Sequence, residues 1–86
     1  LLVLKTAWLM DTVGNKKAMT EIQAIKIAVP SAVERILDRA IQLFGAAGVS
    51  GDTPLAEMFA AVRTLRLADG PDEVHRMSLG KAELGR

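Results

Sequence analysis

A chain of 86 residues holds one domain at most, and at that size it buries only about 60–65% of the surface its unfolded form exposes. Hydrophobic residues make up 50% and aromatics 3%; the apolar set is mostly Ala, Leu, Val, Ile and Met, which favours helix over sheet. Cysteine is absent, which excludes disulfides, thiolate metal sites and a Cys nucleophile, and eleven basic against ten acidic residues leave +1, without the basic excess of a nucleic-acid binder.

The opening LLVLKTAWLM has neither an initiator Met nor a leading basic region, and Lys5 and Asp11 interrupt its apolar run well short of a membrane span. It reads as the middle of a longer protein. Leu1 to Val13 carries Leu1, Leu2, Leu4, Trp8, Leu9 and Val13 nearly all round a helix. Such a helix is expected to be buried on most sides, with Trp8 in a core or an interface. Gly14 and Asn15 form its stop.

The second helix is expected over Thr20 to Phe44, with Thr20 or a neighbour as its cap and Ile22, Ile25 and Val29 at helical spacing. Pro30 removes one hydrogen bond and clashes with the preceding turn, which predicts a kink or a break. Beyond it Val33, Ile36, Leu37, Ala40, Ile41 and Phe44 form a clean stripe, opposite Glu34, Arg35, Asp38 and Arg39. GAAGVSGDTP is a loop. Thr53 then reads as the N-cap and Pro54 as the first residue of a third helix striped by Leu55, Met58, Phe59, Val62 and Leu65. Arg63 and Arg66 lie near its end, where cations suit the dipole. Asp69-Gly70-Pro71 breaks it, and a fourth helix begins at Pro71 with Asp72 and Glu73 in its first turn. The short connections predict an all-α, up-down four-helix bundle.

Two readings of Asp69 stand on the residues alone. It can cap the helix that follows, with Asp72 and Glu73 favouring that helix's positive end, or it can be a reactive carboxylate held in a turn. His75 is the single His, with no second His or Cys at metal-ligand spacing, and reads as an exposed or half-exposed helix residue. Glycines at 45, 48 and 51 let another backbone or a ligand approach, although the loop lacks the Gly-Lys-Ser/Thr ending of a P-loop.

Two segments together resemble a known family. QLFGAAGVSGDTPLAEMF is similar to the Q-x-x-G-G-x-G, acidic, x-P segment of the acyl-CoA dehydrogenase C-terminal domain. LRLADGPDEVHR is similar to that family's aliphatic-aromatic-E-G-T-x-E/Q-I-Q-R stretch. From Gln42 to Asp69 is 27 positions (69 − 42), and the family pattern overlays them without a gap. The resemblance covers essentially the whole chain and is nearest to the branch carrying R-L-A-D-G-P-D-E-V-H.

It implies an FAD-dependent enzyme that forms the 2,3-double bond of an acyl-CoA. It also implies an electron-transfer flavoprotein or similar acceptor, a homodimer or homotetramer, and a chain in which an N-terminal helical and a middle β-domain precede this one. Asp69 falls on the catalytic base, its own N–H on the donor to the thioester oxygen, and Gly70 on the residue that lets the thioester lie close. Gln42 and Gly45 fall on positions that meet FAD bound by a neighbouring subunit, and Pro71, Asp72 and Glu73 on the chain's own cofactor-contact stretch. Three positions depart from the pattern: Asp69 replaces the usual Glu, Pro71 the usual Thr, and Ala46 the second Gly. The resemblance also implies that the isolated chain neither holds FAD well nor turns over, and that it exposes apolar surface prone to self-association. The alternative is a non-catalytic helical oligomerisation or interaction module, in which both loops are caps.

Overall fold

The computed structural model describes residues 1–85. Within them lie helices α1 (Leu2–Val13), α2 (Met19–Phe44), α3 (Ala46–Val49), α4 (Leu55–Leu65) and α5 (Asp72–Leu84), and no strand. The four long helices are the expected main elements of an all-α domain; α3 is one turn inside the stretch expected to be loop. At 1.5 Å per residue α2 is about 39 Å long, and α1, α3, α4 and α5 all pack on it. None of the described helices is long and apolar enough to cross a membrane.

Several expectations give way to packing. Pro30 neither breaks nor ends α2, which runs through it unbroken. Its ring is buried, and contacts from the surrounding helices replace the single hydrogen bond that proline removes. Thr20 does not cap α2, which starts at Met19 after Ala18 with no side-chain cap. Thr53 does not cap α4 either. Its hydroxyl donates to the Ala47 carbonyl at 3.0 Å, and Ser50 Oγ donates to the same oxygen at 3.1 Å, so the Gly-rich stretch is cross-tied. α5 starts at Asp72 rather than Pro71, and Pro71, not Asp69, holds the N-cap position.

α1 ends at Gly14, whose φ of 88° suits a glycine, but it is not buried on most sides. Thr6 is its one buried residue, with Oγ1 donating to the Leu2 carbonyl at 2.8 Å. α1 meets α2 and no other described helix, so Leu1, Leu4 and Trp8 face solvent, Trp8 at 63% exposure. Ala18, Leu37 and Pro30 are the buried apolar residues. Burying Leu37 contributes about 1.5–3 kcal/mol, and the interior around it is small. Ile36, Leu43, Phe44 and Val49 remain open on the outer surface.

Candidate active site

The residues between α4 and α5 form a turn of unusual backbone. Asp69 has φ 56° and is the one non-glycine residue with positive φ among those described; Gly70 follows at φ 111°. A left-handed L-residue costs about 1–2 kcal/mol, and Asp tolerates it better than most. The turn is shaped from both sides. Leu67 and Ala68 donate their N–H groups to the Thr64 carbonyl, and Asp72 N–H donates to the Arg66 carbonyl at 3.1 Å. Among the described residues the N–H groups of Asp69 and Gly70 have no acceptor, and the Asp69 carboxylate makes no hydrogen bond or ion pair. Backbone N–H groups are obligatory donors, so the turn presents two free donors and one free carboxylate together.

Asp69 belongs to the lining of an open groove of about 470 Å³. Its apolar walls come from Val3 of α1 and from Ile22, Ile25, Val29 and Pro30 of α2, while Lys26, Asp69 and His75 supply the polar groups. The buried Pro30 ring thus forms part of one wall. Lys26 Nζ donates to the Leu65 carbonyl at the end of α4, satisfying a terminal acceptor with a cation. His75 is half-buried; its Nδ1 meets Gln23 Oε1, so Nδ1 carries the hydrogen. Its Nε2 is buried without a protein partner and lies beside Gly70, where a Cβ would sit 3.3 Å from it.

Asp72 is placed differently from its neighbours. It is only 2% exposed, its carboxylate turned inward, and Oδ2 accepts from Arg66 Nε at 2.7 Å. Arg66 Nη1 donates to Glu34 Oε2 of α2 at 2.7 Å, and Arg63 Nε lies 3.7 Å from Glu34 Oε1. The Arg66 hydrogen bond holds the Asp72 carboxyl below the usual carboxylate range against the opposing cost of burial, and the charges of Arg66, Arg76 and Lys26 act in the same direction. The hydrogen bonds to Asp72 and Glu34 in turn raise Arg66. Asp72 Oδ1 is buried without a partner, out of reach of a molecule outside the domain. Pro71 is half-buried and Glu73 exposed, both at the outer end of α5.

Gln42 and Gly45 are exposed on another surface. Gly45 lies fifteen residues beyond Pro30 (45 − 30), about 22 Å along the α2 axis. Its φ is 64°, and nothing lies within 4 Å of where a Cβ would be, so a group can approach it closely, while its N–H donates to the Ile41 carbonyl and its own carbonyl accepts from the Gly48 N–H. Gly48, in contrast, is buried against α2, with the backbone of Ile41 filling the place of a side chain.

The motifs single out the Asp69 turn, Gly70 and Gly45, but not the ion pairs that join Arg66 to Asp72 and Glu34. Glu34 reads as the solvent side of an amphipathic helix and Arg66 as a dipole cation. Their partnership spans 32 positions, which no local pattern reveals. Helical spacing offers one usable signal, since Gln23, Lys26, Pro30 and Glu34 recur at three- and four-residue intervals on one face of α2.

Comparison with known proteins agrees with this architecture. The family model of the acyl-CoA dehydrogenase C-terminal domain matches residues 1–84. Acyl-CoA dehydrogenase family member 11 of Rattus norvegicus is 60% identical over 84 residues, which are 98% of this chain and 11% of that protein. Family member 10 of Mus musculus is 58% identical over 98% of this chain and 8% of its own length. A solved structure of a protein assigned as an acyl-CoA dehydrogenase from Mycobacterium abscessus superposes with a TM-score of 0.95 at 49% identity, over 98% of this chain and 21% of that one. The chain therefore spans between about a twelfth and a fifth of these relatives, and within that span it belongs to the acyl-CoA dehydrogenase family as its C-terminal helical domain.

Proposed function

We propose that this domain serves an FAD-dependent acyl-CoA dehydrogenase that converts an acyl-CoA to the 2,3-enoyl-CoA, with Asp69 as the base. The observation that carries the reading is Asp69, with a free carboxylate and a free backbone N–H, in the lining of an apolar groove, next to Gly70 with its own free N–H. The proton next to a thioester carbonyl is weakly acidic. Its removal needs a base within about 3 Å and donors that take up the charge growing on the carbonyl oxygen. Asp69 Oδ accepts the proton while the Asp69 N–H donates to that oxygen. Gly70, bare of side chain, lets the thioester lie against the turn. The walls from α1 and α2 exclude water along an acyl chain, and the exposed carboxylate returns its proton to solvent once product leaves.

The accessible residues would meet a flavin nucleotide in two places. Gln42 and the bare surface at Gly45 would lie against the cofactor of a neighbouring subunit, and Pro71 and Glu73 against the chain's own. Asp72 does not join them through its side chain, which is committed to Arg66. When bound, FAD supplies the hydride acceptor. The exposed apolar faces of α1 and α2 support assembly into a homodimer or homotetramer, and an electron-transfer flavoprotein or similar acceptor would reoxidise the flavin. Anaerobic addition of acyl-CoA to the full-length flavoprotein tests this reading: the flavin band bleaches and enoyl-CoA forms. A flavin that no acyl-CoA bleaches would refute it. The isolated 86 residues, mixed with FAD and acyl-CoA, are expected to leave the band unchanged.

A further inference from the structure

We propose that Arg66 and Asp72 are positioning residues, forming a clasp that holds the Asp69 carboxylate in its reactive place; this rests on the reading of Asp69 as the base. The clasp closes the neck of the turn twice over. Asp72 N–H donates to the Arg66 carbonyl at 3.1 Å, and Arg66 Nε donates to Asp72 Oδ2 at 2.7 Å, joining the same two residues through main chain and side chain. Arg66 Nη1, bonded to Glu34 Oε2 at 2.7 Å, fixes the neck to α2, the helix that supplies most of the groove wall.

Residues 67–70 have little else to hold them. Leu67 and Ala68 are exposed, their N–H groups are tied back only to Thr64, and neither Asp69 nor Gly70 has a hydrogen-bond partner among the described residues. An L-residue stays in the left-handed region only where its surroundings over-determine it. In this turn the determining contacts are at the neck. A planar guanidinium can serve two carboxylates at fixed angles, which a lysine ammonium cannot. Asp72 is buried and ionised, so the clasp persists while the outer turn meets substrate. Asp72 thus acts on the reaction through Asp69 without touching substrate or cofactor.

The test is rapid-mixing reduction of the full-length flavoenzyme by acyl-CoA, using wild type, Asp72→Asn and Arg66→Lys. A base displaced by about 1 Å loses up to a hundredfold in rate. We expect reduction in Asp72→Asn to slow by roughly ten- to a hundredfold, with flavin content and acyl-CoA affinity near wild type. The isotope effect from 2-deuterated acyl-CoA should rise, because proton removal alone is impaired. Arg66→Lys should fall between the two, and it decides the question by the same readouts if Asp72→Asn does not retain flavin. Wild-type rate and isotope effect in a flavin-replete variant would overturn the proposal. So would a loss of rate that merely tracks lost flavin in both variants. Asp69→Asn in the same assay separates the two claims. If it reduces normally, the base assignment fails; if it is inert while Asp72→Asn is normal, only the clasp fails.

Discussion

Gly48→Ala tests the packing that sets the glycine loop. A Cβ built at Gly48 meets the Ile41 carbonyl oxygen at 2.6 Å, its Cα at 2.9 Å and its carbonyl carbon at 3.1 Å. All three belong to the backbone of α2, so no rotamer change relieves the clash. Restoring an ordinary 3.4 Å contact requires α3 to withdraw by about 0.8 Å (3.4 − 2.6). α3 is tied to α2 by Gly45 N–H on the Ile41 carbonyl at 2.9 Å, and to the loop by Ser50 and Thr53 on Ala47. Overpacking of this kind costs about 1–3 kcal/mol, and the smaller unfolded-state entropy of Ala returns roughly 0.5–1 kcal/mol. The net loss is about 0–2.5 kcal/mol, a fall in Tm of up to about 20 °C for a domain of this size. Gly80→Ala is the control. Gly80 lies inside α5 with nothing within 4 Å of its Cβ position, so that change should stabilise by about 0.5–1 kcal/mol. Thermal melts followed by far-UV circular dichroism read both. Equal shifts in the same direction would refute the close approach of α3 to α2.

Gly70→Ala should destabilise by about 1–3 kcal/mol, because φ 111° is unsuited to an L-residue and the new methyl would sit 3.3 Å from His75 Nε2; urea unfolding measures it. Asp72, with its folded-state pKa depressed, contributes stability that is present above its unfolded value of 3.8 and lost as pH falls through the folded value. The stability difference between wild type and Asp72→Asn should therefore be full at neutral pH and shrink below about pH 3.8, as followed by urea midpoints across pH. A difference that grows on acidification would contradict the Arg66 pairing.

The helices were legible because their periodicity is local: the stripes from Leu55 to Leu65 and from Val33 to Phe44 each mark one element. Periodicity misleads where an apolar face has no partner among the described residues. α1 reads in sequence as buried on most sides, yet Leu4 and Trp8 face solvent. Pro30 signals a break that α2 does not make, because packing overrides a local rule. Asp69 and Gly45 could be picked out from the motifs and their spacing. The inward turn of Asp72 could not, since its partner Arg66 and the more distant Glu34 are brought together only by folding.

In the proposed reaction Asp69 takes the substrate proton. Asp69→Asn keeps the shape of the side chain and removes its basicity, and Asn also tolerates the left-handed backbone found there. In the full-length protein with FAD bound, flavin reduction by acyl-CoA should fall by about 10²–10⁴-fold. Reduction at the wild-type rate with the cofactor still in place would exclude Asp69 as the base.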